Sequence, residues 1–216
     1  MYFIAFSANG CRNATLPLYA SLLMIGQKSA HPRREIVTAI ERTAYPRFKK
    51  ALSQSELQST YPPIPEEITF VRTQTDQPQS QLNLLVSLKS FQRLGYFPSA
   101  DEIPSAIISH IRQVLGLPVE IAYHYPTRRT LYRHRILIQT FLQVSDYAAG
   151  GQAVGTAAVE AAAQQMGDPA DLINVAIEAL IQQRFELPAF SALDHLVQRL
   201  RTRVNEQLYI RTFPLT

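Results

Sequence analysis

The segment that decides the fold is residues 90–118, SFQRLGYFPSADEIPSAIISHIRQVLGLP. A helix running into this segment is predicted to end at Gly95, because glycine readily adopts the left-handed backbone conformation that terminates helices. A second helix is predicted to begin at Ser99, since Ser99 and Glu102 have the spacing of a capping box. No residue of this helix pair is placed for chemistry, and the layout is typical of a binding module. The buried side of the second helix is expected to consist of Ile103, Ile107, Ile111, Val114 and Leu115.

Similar helix signals recur on both sides of this segment. Pro78 precedes a long apolar-periodic helix that is predicted to end at Leu94, and Pro126 precedes another helix. Asp168 is predicted to cap a later helix whose first residue is Pro169. Strand signals are few and short. The sequence therefore predicts an all-α fold of two small helical bundles in tandem, of the helix-turn-helix type.

Changes in composition divide the chain into four predicted segments. Residues 1–32 are expected to be an N-terminal extension, and residues 33–145 a first helical domain. Small residues and two adjacent glycines mark the boundary to a second helical domain at residues 146–209. Residues 210–216 lose the helical pattern and are expected to be an irregular C-terminal end.

The charge of the chain is positive and uneven. Its 216 residues carry a formal net charge of +4, with a sequence pI of about 9.3. Residues 33–50 contain six Lys or Arg against two acids, whereas residues 151–216 contain five against seven. The positive charge therefore lies in the front half, which favours a polyanionic partner over a pocket for an acidic substrate.

Composition also excludes several kinds of site. Cys11 is the only cysteine, which excludes an internal disulfide and a cysteine zinc site and fits a reducing cytoplasm. The five histidines lie too far apart in sequence to suggest a ligand set, so neither a metal nor another cofactor is expected. The apolar run at residues 16–25 is too short to span a bilayer, so no membrane partner is expected.

The best candidate for contact with a partner is the predicted helix after Pro126. Four arginines lie in its first two turns, and no acidic residue stands three or four positions away to pair with them. Cations near a helix N-terminus are unfavourable unless an anion compensates them. The planar arginine fork binds phosphates and base edges, so double-stranded DNA is the expected anion, with an ordinary solvated helix face as the other interpretation. The candidate DNA-binding residues are Arg33, Arg34, Lys49, Lys50, Lys89, Arg93, Arg128, Arg129, Arg133 and Arg135.

The sequence also predicts where some of these basic residues lie in the fold. Lys89 and Arg93 are expected on the exposed side of the helix pair, together with Arg112. The arginines at 128–135 and the basic segment that starts at Arg33 are expected to gather on one outer surface, because a single duplex has to contact both.

Two segments carry a resemblance to a known family. Residues 90–104, SFQRLGYFPSADEIP, and residues 168–196, DPADLINVAIEALIQQRFELPAFSALDHL, resemble the N-terminal part of Tn-three family transposases. The resemblance covers roughly residues 33–209. It implies tandem helical DNA-binding domains that recognise the terminal inverted repeats of a replicative transposon, in a bacterial, cytoplasmic, nucleoid-associated protein. The acidic residues of the family's catalytic RNase H-like fold are expected beyond this chain, so an N-terminal fragment without enzymatic activity is expected.

Other functions stay open at this point. The chain is alternatively a helical protein-interaction module that docks on full-length transposase as an inhibitor. Leucine and phenylalanine residues of the helix at 78–94, or of the last helix, would then form the contact. An inert pseudogene remnant is a further alternative. An enzyme of another kind has little support, because the sequence has no nucleophile elbow, no phosphate-binding glycine loop and no carboxylate pair outside helix caps.

Overall fold

The computed structural model describes residues 39–49 and 51–212. Within these residues there are eight α-helices and no β-strand, so the all-α prediction is confirmed. A single isolated bridge joins Ser145 and Phe185. The expected extension at 1–32, the candidates Arg33, Arg34 and Lys50, and residues 213–216 lie outside the described residues. The helices are α1 Gln54–Thr60, α2 Pro65–Gln74, α3 Pro78–Leu94, α4 Ser105–Val114, α5 Arg128–Leu142, α6 Gly151–Ala162, α7 Pro169–Gln182 and α8 Phe190–Thr212.

Most helix ends follow from the prolines, glycines and capping residues of the sequence. Gly95 ends α3 in the left-handed conformation, with φ 74°, and its N–H donates to the Phe91 carbonyl oxygen at 2.7 Å. Asp168 caps α7, because its side chain accepts from the Ala170 N–H at 2.7 Å. Proline is the first residue of α2, α3 and α7, where its missing N–H costs nothing. The predicted ends of α3 and the predicted start of α7 are therefore confirmed.

Two predicted boundaries are wrong. The capping box of Ser99 and Glu102 forms, but it closes only a short 3-10 turn, Ala100–Glu102, because Pro104 prevents the turn from continuing. α4 begins at Ser105 instead. The last helix α8 extends to Thr212, so residues 210–212 are helical rather than irregular.

The first core is built around α3. All ten residues from 82 to 91 are buried, because α2, α4 and α5 each pack against this helix. A helix enclosed on all sides has no exposed face, and here that enclosure includes its polar residues. α2 and α3 are joined by residues 75–77, a connection as short as a helix-turn-helix turn. The core contains Leu57, Tyr61, Val71, Leu82, Leu85, Phe91, Ile107, Ile111, Ile138 and Leu142 among others.

The second core lies between α6, α7 and α8. Its centre is formed by leucines, isoleucines and valines of these helices. Tyr45 also belongs to it: its hydroxyl donates to the Pro188 carbonyl oxygen at 2.9 Å, and its ring lies 5.3 Å from that of Tyr96. The segment ahead of α1 therefore packs on the second core, although the expected first domain at 33–145 includes it.

Backbone hydrogen bonds join the two cores. The Leu187 N–H donates to the Gly95 carbonyl oxygen at 2.8 Å, and Ser145 and Glu186 are joined in the same way at 2.8 Å. The Gln139 side chain donates to the Glu186 carboxylate at 2.8 Å. These bonds fix the C-terminal ends of α3 and α5 against the turn between α7 and α8. The opposite end of α5, which carries the arginines, lies away from this junction.

Candidate nucleic-acid interface

α5 presents an outer face that contains no acidic residue. Thr127 caps the helix by accepting from the Thr130 N–H, and the 15 residues that follow contain no Asp or Glu. At about 100° of rotation per residue, the exposed positions fall within an arc of about 140°. We call this face the α5 strip. It consists of the exposed residues Arg128, Arg129, Tyr132, Arg133, Ile136 and Thr140.

The opposite side of α5 is anchored by a buried polar network. The Tyr125 hydroxyl lies 2.9 Å from Nδ1 of His134 and 3.0 Å from the Ser87 hydroxyl, and it donates to the Asn83 carbonyl oxygen. The Asn83 amide donates in turn to the His124 carbonyl oxygen at 2.7 Å. These contacts hold α5 in one rotational setting on α3. The α5 strip is therefore displayed by a fixed helix.

His134 is part of this anchor and is not a cation of the surface. Burial, and secondly the nearby Arg133, lower the pKa of His134 to about 4. The imidazole is therefore neutral at pH 7. It serves as a hydrogen-bonding partner of Tyr125 beneath the strip.

Two arginines of the strip border an acid-free cleft. Arg129 and Arg133 line a cavity of about 320 Å³ between α5 and the turn that joins α2 to α3. In the part of the chain that the structure describes, no carboxylate lies within 4 Å of Arg128, Arg129 or Arg133. Their charges are therefore available to an anion from solution. The other residues lining the cleft are Gln74, Thr75, Gln77, Ser80, Thr130, His134 and Leu137.

Arg135 lies only about 20° around the helix from Arg128, but it is less exposed than the other three arginines. Its guanidinium carbon lies 5.1 Å from the centre of the Phe97 ring and 5.9 Å from that of Tyr132. The side chain is half-buried, and its Nε is buried without a hydrogen-bond partner among the described residues. The Arg135 guanidinium therefore lies beside two aromatic rings, a cation–π arrangement.

The prediction that Lys89 is exposed is wrong. Lys89 is only 5% exposed, and its Nζ lies 3.1 Å from an oxygen of the buried Glu67. The Gln92 amide and the Ile64 N–H also donate to this carboxylate. Burial of a charge requires such pairing, since an isolated ammonium loses its hydration. Lys89 is therefore an internal ion-pair partner in α3.

Two of the three described basic residues ahead of α1 are also paired with carboxylates. The third, Arg47, is exposed and has no carboxylate of the described chain within 4 Å. Lys49 donates to Glu56, and this contact is the main reason why the pKa of Glu56 falls to about 2. Arg42 donates to Asp168 at 2.7 Å. The Ala170 N–H and secondly Arg42 lower the pKa of Asp168. Both cations already have an anion inside the chain.

Arg93 lies far from the α5 strip. It is half-buried beside the Tyr61 hydroxyl and lines a second cleft, of about 310 Å³, with residues 45–48. Ser80, which borders the first cleft, is 13 positions earlier in α3. That separation corresponds to about 20 Å along the helix and about 140° around it. Arg93 and residues 45–48 therefore line a different cleft from the one that Arg129 and Arg133 line. Arg112 is half-buried as well, and donates to the Ile121 carbonyl oxygen at 2.9 Å.

Comparison with protein families assigns the chain to one of them. A family model described as Domain of unknown function (DUF4158) matches residues 36–200. The chain belongs to the DUF4158 family. The matched range of the DUF4158 domain contains α1 to α7, and with them the whole α5 strip. A search among curated proteins returned no match.

One residue of the α5 strip was not predicted from the sequence. Ile136 of the DUF4158 domain was not expected at the surface, yet it is 62% exposed. The signal was present, because Arg128, Tyr132 and Ile136 follow one another at intervals of four. An isoleucine in an apolar-periodic helix is more often buried, and only the packing of α5 on α3 shows which side faces out.

The described residues offer neither a cluster of metal-binding side chains nor a membrane-spanning helix. Residues 39–49 and 51–212 contain no group of three or more His, Cys, Asp or Glu side chains that could hold a metal ion. Over the same residues, none of the helices has both the length and the apolar character needed to cross a membrane.

Proposed function

We propose that this chain binds double-stranded DNA through the α5 strip, as the DNA-binding N-terminal part of a transposase that recognises terminal inverted repeats. One observation carries the DNA contact. Arg128, Arg129 and Arg133 are exposed on a helix without acids, and no carboxylate of the described chain lies within 4 Å of them. The transposase and the inverted repeat come from the resemblance of residues 90–104 and 168–196.

The chemistry of the contact is electrostatic at its base. A duplex carries one negative charge per ~1.7 Å of its axis, and arginines that neutralise phosphates release condensed counterions. Guanidinium groups offer parallel donors that fit phosphate oxygens. The partial positive charge at the N-terminus of α5 adds to theirs. Binding should therefore weaken steeply as salt rises.

The set of contact residues in this proposal is smaller than the sequence suggested. Lys89, Lys49 and Arg42 support the fold through their own carboxylates and are not assigned to DNA. Arg33, Arg34 and Lys50 stay predicted contacts. No catalytic role is assigned to any carboxylate of the chain. Asp168, for example, is occupied as the cap of α7.

The protein-interaction alternative receives less support from the packing. The leucines of α3 and Phe91 are buried in the first core. The apolar side of α8, with Leu193, Leu196 and Val197, is buried in the second core. A docking surface made of these side chains would require either core to open.

The test compares two variants that lose the same charge. Fluorescently labelled 30-base-pair duplexes of randomised sequence are titrated at 100 mM salt with the wild-type chain and with each variant. Arg128→Ala/Arg129→Ala/Arg133→Ala should lower affinity on the order of a hundredfold, at about 1 kcal/mol for each lost contact. The control Arg42→Ala/Arg199→Ala/Arg203→Ala removes three charges from elsewhere on the chain and should change affinity only slightly. Equal losses in both variants, or no binding by the wild type, would contradict the proposal.

A further inference from the structure

We infer that α5 is the helix that enters the major groove, and that Tyr132 and Ile136 contact base edges there, chiefly the methyl groups of thymine. This inference rests on the proposed function and adds a source of sequence specificity to it. Phosphate contacts position a protein on DNA, whereas contacts to base edges determine which sequence it binds.

The first observation in favour of base contact is a pair of exposed apolar side chains, Tyr132 and Ile136, which lie outside both cores. Tyr132 is 59% exposed and Ile136 is 62% exposed, and they are one helical turn apart on the same face. The other large exposed hydrophobic residues of the described chain, Ile64, Val114, Val119 and Met166, lie in separate elements. Single exposed apolar side chains are common, but an adjacent pair between charged residues is typical of a contact surface.

The second support is the order of residues across the strip. With Tyr132 taken as the reference, Ile136 lies about 40° to one side and Arg133 about 100° to that side, while Arg128 lies about 40° to the other. The apolar pair therefore runs between flanking arginines. A helix in a groove needs this order, because phosphates form the walls of the groove and base edges form its floor.

The dimensions also suit a groove. From Arg128 to Thr140 the strip is about 18 Å long, and the major groove is about 12 Å wide and accepts an α-helix. Thr140 continues the line of Tyr132 and Ile136 by one further turn. Threonine, like other side chains with methyl groups, contacts the thymine methyl.

Neighbouring side chains of α5 help to hold the Tyr132 ring in place. The Arg135 guanidinium lies 5.9 Å from the centre of its ring and is itself stacked over Phe97. His134, the residue before Arg135, is held by its hydrogen bond with Tyr125. Arg135 therefore contacts the Tyr132 ring at the edge of the α5 strip.

The positive charge of the α5 strip favours DNA over a protein as its partner. A protein partner for Tyr132 and Ile136 would have to place carboxylates opposite three arginines at a small interface. A duplex offers phosphates on both sides of an apolar methyl surface. A second copy of the chain brings the same positive strip and would be repelled.

The experiment selects bound sequences from a randomised duplex pool. The wild-type chain should enrich a short motif that contains thymine. Tyr132→Ala/Ile136→Ala should lose that enrichment, and its affinity for the enriched motif should fall to its affinity for unselected duplexes. The double variant Val119→Ala/Met166→Ala truncates exposed apolar side chains elsewhere and should enrich the same motif as the wild type. Circular dichroism of all variants shows whether they fold.

A single-methyl substitution then tests the contact itself. Replacing each enriched thymine by deoxyuridine removes one methyl group and leaves the hydrogen-bonding edge unchanged. For the wild type this should weaken binding about fourfold at the contacted position, the value of one buried methyl. For Ile136→Ala or Tyr132→Ala the same replacement should have no effect at the position that the lost side chain contacted.

The outcomes separate this inference from the proposed function. If the wild type binds duplexes but enriches no motif, the strip contacts phosphates only, and base contact by Tyr132 and Ile136 is refuted. If the double variant keeps the motif and instead changes the oligomeric state in sedimentation, the pair belongs to a protein interface. If the wild type binds no DNA, the proposed function itself fails.

Discussion

Three arginines of α5 and three basic residues elsewhere in the fold are chemically alike but have different surroundings. Lys89, Lys49 and Arg42 each lie beside a carboxylate of the same chain. Arg128, Arg129 and Arg133 have no carboxylate of the described chain within 4 Å. The difference teaches that a count of positive charge does not locate a nucleic-acid surface. The proposed surface is instead the place where three exposed cations without an anion share one acid-free helix face.

The largest expected effect on the free energy of unfolding comes from the replacement of Lys89. Lys89→Ala leaves the Glu67 carboxylate buried without its cation, so the free energy of unfolding should fall by about 3–5 kcal/mol. Arg128→Ala, on the exposed strip, should change it by less than about 0.5 kcal/mol. Urea unfolding followed by circular dichroism measures both.

The matched control for Lys89 replaces the whole ion pair. Lys89→Met/Glu67→Leu removes both charges and should recover much of the lost stability, since an apolar pair carries no desolvation penalty. If Lys89→Ala proves as mild as Arg128→Ala, the buried pair does not contribute as the contacts indicate.

A smaller effect should come from His134 beneath the strip. Its pKa of about 4 is below the value of about 6.5 expected in the unfolded chain, so between these values the unfolded state binds more protons. Stability from this group is thus complete above pH 6.5 and is lost as pH falls toward 4. Between pH 7 and pH 5 the loss should be about 2 kcal/mol.

His134→Asn isolates that contribution. The asparagine amide can still bond to Tyr125 but does not titrate. Urea unfolding at pH 7 and pH 5 should therefore show a drop about 2 kcal/mol smaller in the variant than in the wild type. Identical drops in the two proteins would mean that His134 is protonated as easily when folded as when unfolded.

A still smaller effect should follow from the loss of one hydroxyl at the other end of the molecule. Tyr45→Phe keeps the ring in the second core but removes the hydrogen bond to the Pro188 carbonyl oxygen. The free energy of unfolding should fall by about 1 kcal/mol, and DNA affinity should not change. A loss of affinity in Tyr45→Phe would connect this end of the molecule to binding.

The smallest effect should come from the exposed pair of Lys49 and Glu56. Lys49→Ala should raise the pKa of Glu56 from about 2 toward its ordinary value, because Lys49 is the main cause of the lowering. Carboxyl-detected NMR titration measures that change. Duplex affinity should stay at the wild-type value. A clear loss of affinity would place Lys49 among the DNA contacts after all.

Much of the fold could be predicted from local signals. Gly95, Asp168 and the prolines at the helix starts act through their own backbone geometry, so sequence alone determines their effect. The failures have a different cause. Pro104 overrides the capping box at Ser99, and this competition between two local signals is decided by the proline ring.

The candidate site was less predictable because it depends on contacts between distant residues. The 22 positions between Glu67 and Lys89 give no hint that the two form a buried ion pair. The same holds for Arg42 and Asp168, which are 126 positions apart. Arg128, Arg129 and Arg133 were predictable because α5 itself contains no acid. Ile136 was not, since its exposure depends on how α5 is seated on α3.

The most direct test of the central claim is the dependence of duplex affinity on salt for the wild type and for Arg128→Ala/Arg129→Ala/Arg133→Ala. Each phosphate contact contributes about 0.9 to the slope of the logarithm of affinity against the logarithm of salt concentration. The slope of the triple variant should therefore be smaller than that of the wild type by about 2.7. An unchanged slope in a folded triple variant would contradict the account, because the three unpaired arginines of α5 would then not be the residues that hold the duplex.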